Sequence, residues 1–172
     1  IPIYKEKKLV EVHFYKPSRI FRESTYLDKI GSRYVEMLPK EYTQFLKIFE
    51  FLNVKTMIDI ETMMQILEEI KSKAKLEESD KKVIQNIYRI ISELVKNKDS
   101  RINQLSGYTD KEIILVNNEF KKPSELFLND NNEIAELFTG TNVESLILPI
   151  DPDIEHFYLK IGVNTISGVK KF

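Results

Sequence analysis

The sequence predicts an α+β fold in which small mixed β elements at two repeat junctions flank a helical hairpin. Three observations predict it. Short runs of alternating apolar and polar residues lie towards both ends of the chain. The middle carries two long stretches with apolar residues at spacings of three and four. The phrase around Lys16-Pro17-Ser18 returns around Lys122-Pro123-Ser124, and a missed repeat would mis-assign the whole architecture.

The first element is LVEVHFY, residues 9–15, where Val10, Val12 and Phe14 alternate with Glu11 and His13, the pattern of a half-buried strand. After the Lys-Pro-Ser turn an irregular stretch runs to Gly31, and YVEMLP is an extended segment stopped by Pro39. From Lys40 to Leu52, Tyr42, Phe45, Leu46, Phe49 and Leu52 form one stripe, which predicts a helix with that face inward. Asn53 ends it, as a residue that tolerates the left-handed conformation of a C-cap.

Asp59 is the expected N-cap of a second helix reaching about Ala74, with Ile60, Met63, Met64, Leu67 and Ile70 inward. Ser79 is the expected cap of a third, reaching about Asn97, with Val83, Ile84, Ile87, Ile91, Leu94 and Val95 inward. KSKAKLEESDKK between them reads as the solvated turn of a helical hairpin. Beyond Gly107, EIILV is a strand, and Asp130 with Glu133 three residues on caps a short helix. LILPI is the next strand; Asp151, Pro152 and Gly162 then frame a helix of about ten residues. Residues 1–56 are thus the C-terminal part of one repeat unit, 57–106 the hairpin, and 107–172 a second copy of the junction.

The repeat reaches beyond three residues. FYKPSRIF (14–21) and FKKPSELF (120–127) place Phe14 and Phe120 before the Lys, and Phe21 and Phe127 after the Ser. Gly31 and Gly140 follow, then Leu38-Pro39 and Leu148-Pro149, then the helix ends FLNVKT and KIGVNT, where Asn53 stands in the place of Gly162. Both residue types tolerate positive φ, so one cap is met by two chemistries. The copies lie about 106 to 110 residues apart, too far for helical solenoids with units of roughly 20–50 residues.

In this reading the motif is architecture. Pro17 and Pro123 fix φ, the hydroxyls of Ser18 and Ser124 cap the following turn, and the flanking Phe residues anchor it to the core. Phe127→Ala is expected to cost roughly 3–5 kcal/mol as a large-to-small core loss.

KPSELF at Lys122–Phe127 and KIGVNT at Lys160–Thr165, with FLNVKTMIDIETMMQILEEI between the copies, resemble the repeated region of sacsin-like proteins. Plant NO VEIN-like proteins and many bacterial ATPase proteins carry similar stretches. In such proteins GHKL-type, chaperone-like ATPase domains are joined to sequences of this kind, so the resemblance implies a fragment outside the ATPase domain, within a larger protein. The missing initiator Met agrees with a fragment or a processed chain. The first copy departs from the pattern, with Arg19 and Ile20 for Glu and Leu and Asn53 for Gly. The five glycines make no phosphate-cradling array, so no nucleotide cofactor is expected in this stretch.

Composition excludes several classes. Cysteine is absent, which removes disulfides, zinc ribbons and thiol chemistry. With 26 basic against 27 acidic residues, no global field draws nucleic acid or anionic membrane. No apolar run approaches the roughly 20 residues of a membrane span. A cytoplasmic location and no membrane partner are expected.

Individual residues suggest little chemistry. His13 sits on the polar phase of a strand. His156 follows Asp151, Asp153 and Glu155, but acids in a first helical turn answer the helix dipole. NDNNE, residues 129–133, lacks the glycine of a calcium loop. Glu68-Glu69 and Glu77-Glu78 read as solvated faces, and the lysines at 4–8 and 71–82 are interleaved with glutamates. No catalytic, metal or cofactor residue is assigned. The expected role is a structural and protein-interaction module, with other domains of the same chain or a client protein as partner. A nucleic-acid-associated segment of a bacterial restriction or anti-phage ATPase is the alternative.

Overall fold

The computed structural model describes residues 2–4, 12–14, 16–22 and 26–168 and divides into two compact units, residues 1–66 and 67–172. The architecture is α+β, with short strands before and after a helical hairpin in chain order.

In the first unit β1 (Pro2–Tyr4) pairs antiparallel with β2 (Val12–Phe14), Ile3 opposite His13. Residues 9–11 and 15 of the expected strand, and the side chains of His13 and Phe14, lie outside the described residues. A 3-10 turn, Pro17–Arg19, leads into β3 (Ile20–Phe21), followed by α1 (Leu27–Ile30) and β4 (Glu36–Met37). β3 and β4 run parallel with Phe21 opposite Met37, and a parallel bridge joins Phe21 to Lys55.

The helix expected over residues 40–52 is a 3-10 stretch, Lys40–Phe45, and then α2 (Leu46–Phe51). Pro39 tightens its start, because the Tyr42 N–H reaches the Pro39 carbonyl at 3.0 Å. Ile20, Leu38, Phe49 and Val54 form a core cluster, with Tyr42 packed against it. α3 (Ile60–Lys71) begins as expected, with the Asp59 carboxylate accepting from the Thr62 N–H at 2.9 Å. All five of its expected inward residues are buried.

In the second unit α4 (Glu78–Lys96) buries Ile84, Ile87, Tyr88, Ile91 and Leu94 along one face, while Val83 and Val95 are half-buried. Its cap is Glu77 and not Ser79. The Asp80 carboxylate reaches back to the Glu77 N–H at 3.1 Å, and Ser79 Oγ donates to the Glu77 carboxylate at 3.2 Å. Asp80 is fully buried and neutralised by Lys73 Nζ at 2.6 Å, so the acid three positions in decides where the helix starts.

β5 (Ile114–Val116) and β6 (Glu119–Lys121) form a hairpin whose turn residues Asn117 and Asn118 have φ of 50° and 68°. Two left-handed residues match the strand twist, and asparagine tolerates them. β6 is the counterpart of β2 in its place before the Lys-Pro-Ser turn, and the sequence reading, which has only the strand EIILV there, does not find it. A 3-10 turn, Pro123–Glu125, precedes β7 (Phe127–Leu128), α5 (Asn132–Glu136), β8 (Ile147–Leu148), α6 (Glu155–Lys160) and β9 (Asn164–Thr165). The last three strands form a parallel sheet in the order β8–β7–β9.

Two caps here differ from expectation. α5 is capped by Asn131, whose side chain accepts from the Ile134 N–H at 3.2 Å. Asp130 is held instead by Ser167, whose N–H lies at 2.9 Å and whose hydroxyl also donates to it. Asp151 caps a turn leading into α6, its carboxylate accepting from the Asp153 N–H at 2.9 Å, so regular helix begins only at Glu155. Among the described residues no helix is long and apolar enough to cross a membrane.

Candidate functional site

The residues singled out in the sequence lie at two Lys-Pro-Ser junctions of similar geometry. Proline disfavours the helical region for the residue before it, so Lys16 and Lys122 are extended, at ψ 142° and 144°. Each junction then turns on two backbone bonds. Arg19 and Glu125 donate to the Lys16 and Lys122 carbonyls at 2.8 and 3.1 Å. Ile20 and Leu126 donate to the Pro17 and Pro123 carbonyls.

The strand that follows is held in one register in both copies. Phe21 stands opposite Met37 and Lys55; Phe127 stands opposite Ile147 and Asn164. The helix ends match bond for bond. Val54 donates to the Phe49 carbonyl at 2.8 Å and Asn53 to Glu50 at 3.0 Å. Val163 donates to the Tyr158 carbonyl at 3.0 Å and Gly162 to Leu159 at 3.3 Å. These are two Schellman motifs, with Asn53 at φ 59° and Gly162 at φ 95°.

Two roles assigned from sequence change. Among the described residues neither Ser18 nor Ser124 uses its hydroxyl in a hydrogen bond. Lysine occupies the cap position, which leaves each serine inside the turn, and only the Ser124 carbonyl is engaged, by the Asn164 side-chain amide at 3.4 Å. In the second copy the Glu125 carboxylate reaches back to the Lys122 N–H at 3.4 Å; Arg19 has no acceptor for this. The aromatic anchors are also unequal. Phe21 is fully buried, but Phe127 is only half-buried, and Leu126 and Leu128 fill the core beside it. Phe120 is half-buried, and Pro123 is more deeply buried than Pro17.

The copies differ most on their last helix. In α6, Ile154, Phe157 and Ile161 are buried, and the Phe157 ring stacks on Tyr88 of α4 at 5.0 Å. Tyr158 meets the same Tyr88 edge-on at 6.0 Å. Tyr88 donates its hydroxyl proton to the Ile113 carbonyl at 2.6 Å and accepts from the Leu115 N–H at 3.0 Å. Burial pushes the Tyr88 hydroxyl far above its ordinary pKa. Burial, and then the charge of Asp151, pushes Tyr158 up to about 12.

In the first copy the same positions are Phe45, Ile48 and Leu52, and they are 45%, 56% and 37% exposed, with Phe51 beside them at 88%. This corrects the expectation that Phe45 and Leu52 point inward; Phe49 and Tyr42 do. Leu46's side chain lies outside the described residues. Ile48 and Phe51 escape a search for chemical motifs. The signal that finds Ile48 is its alignment with Phe157.

The polar groups pair locally. His156 Nδ1 lies 3.7 Å from the Glu155 carboxylate, whereas Asp151 and Asp153 approach Arg89, each at 3.9 Å. Among the described residues no group of three His, Asp or Glu side chains could hold a metal ion. Partial burial would raise the pKa of Asp59, but hydrogen bonds from Lys55 and Thr62 outweigh it and hold the carboxyl below its ordinary value. Arg101 hydrogen bonds hold Asp99 at about 2. A hollow of about 480 Å³ is lined by Lys71, Lys73, Lys75 and Lys81 with Asn118 and Phe120. Three of those lysines are paired, with Glu112 at 2.9 Å, Asp80 at 2.6 Å and Glu78 at 2.8 Å.

No family model, curated protein or solved structure matches the chain.

Proposed function

We propose that the chain is a non-catalytic structural and protein-interaction module of a larger, sacsin-like, chaperone-type ATPase protein of the cytoplasm. The observation that carries this reading is the junction built twice in one register, from Lys16 to Thr56 and from Lys122 to Thr165. The atoms common to both junctions are backbone donors and acceptors, and the side chains pack or cap. A repeated joint of this kind transmits position along a long protein and offers helix faces to partners. The partner is another domain of the same protein or a client protein.

Two assays test the reading. The chain should slow the aggregation of a thermally unfolding client such as citrate synthase, and should show no shift of labelled duplex DNA or single-stranded RNA at low salt. The lysine-lined hollow is what favours the alternative, a nucleic-acid-associated segment of a defence ATPase. Salt-dependent binding with a steep slope would establish that alternative and displace the module reading.

A further inference from the structure

The helix faces of α2 and α6 occupy one position in two copies of one junction, as the two Schellman ends place them residue for residue. In the second copy that face is covered by α4, through Tyr88 on Phe157, within a face where Ile84, Ile87 and Ile91 are also buried. In the first copy the face is apolar and exposed. Three aromatic or branched aliphatic side chains at spacings of three and four, with Phe51 beside them, are too concentrated for the scattered exposed apolar residues of an ordinary surface.

We propose that the α2 face, Phe45–Ile48–Leu52 with Phe51 at its edge, seats a helix of the α4 kind carried by a separate repeat unit. The occupant is an amphipathic helix presenting isoleucines and one aromatic ring, read at spacings of three and four. Its charge pattern is constrained as well. Asp151 and Asp153, which face Arg89 in the second copy, are replaced in the first by Tyr42 and Gln44. The seat therefore needs no cation from its occupant, and binding depends little on salt. The inference rests on the module reading and names the partner that reading leaves open.

The test titrates a fluorescein-labelled peptide of residues 78–96, blocked at both ends, into the full chain. A second version is stapled across its solvent face, because isolated helices of this length are marginal in water. Saturable binding is expected, weakened at least about tenfold by Ile48→Glu and by Leu52→Glu, and unchanged by Leu137→Glu at an exposed leucine elsewhere. The two α2 variants should keep the thermal midpoint of the parent.

Absence of binding by the stapled peptide overturns the proposal, as does binding indifferent to Ile48→Glu. A large fall in thermal midpoint in Ile48→Glu overturns it too, by showing that the face belongs to the folded core. Concentration-dependent dimerisation that Ile48→Glu abolishes, without peptide, overturns it in favour of a second copy. Client protection without peptide binding defeats this inference alone. Peptide binding accompanied by nucleic-acid binding defeats the module reading alone.

Discussion

Ile48 and Leu52 in the first junction and Phe157 and Ile161 in the second stand at the same helical positions, yet the first pair faces solvent and the second is buried. The backbone around them is shared: the same extended residue before Pro, the same strand register, the same two bonds at the helix end. The backbone of the joint is therefore the same whether its last helix is covered or exposed, and that covering is a separate matter. In the second copy Tyr88 provides it, with its hydroxyl tied to the β5 backbone. The joint is a common part, and the helix face is the variable one.

Truncating that face should separate the copies most sharply. Phe157→Ala should lower unfolding free energy by about 3–5 kcal/mol in urea titration, and Ile48→Ala by less than about 0.5 kcal/mol. Equal losses would mean that the first face is covered after all. Leu126→Ala should cost about 2–5 kcal/mol and exceed Phe127→Ala, reversing the order expected from the motif alone.

Tyr88→Phe comes next. It leaves the Ile113 carbonyl and the Leu115 N–H without their partner, and about 1–3 kcal/mol should be lost, with faster hydrogen exchange in the β5–β6 hairpin. The same tyrosines give the second unit an alkaline limit. Folded pKa values above the unfolded value mean that their contribution is complete below pH about 10 and falls as pH rises towards about 12 for Tyr158. Phe49 holds the Tyr158 position in the first copy and carries no such proton. Urea midpoints measured across that range should fall in the parent and flatten in the Tyr88→Phe, Tyr158→Phe double variant.

The smallest contrast is at the caps. Gly162→Ala should cost about 1–2 kcal/mol, because its φ of 95° disfavours any Cβ. Asn53→Gly should change stability by only a few tenths of a kcal/mol, since asparagine already tolerates φ 59°. A large loss in Asn53→Gly would show that its side chain, and not its backbone, makes the cap.

Much of the joint is legible in the sequence because its signals are local. Pro17 and Pro123, Asn53 and Gly162, and the Asp59 cap each restrict their own backbone, and the helices from Ile60 and Glu78 are long enough for their period to show. The two-residue strands β3, β7 and β9 are not legible, since a period of two needs more residues than they have, whereas β8 shows through the apolar run LILPI. The misplaced caps follow the same logic. Ser79 and Asp130 are good cap residues, but Asp80 and Ser167 offered better partners, one of them 37 positions away.

By itself the sequence determined the turns at Pro17 and Pro123 and the helix ends at Asn53 and Gly162, because these depend on φ preferences and capping within a few residues. The tertiary structure alone decided which strands lie side by side and which helix face is covered. Burial is a property of neighbours: Phe157 is core because Tyr88 lies on it, and Ile48, at the same place in the other junction, is more than half exposed.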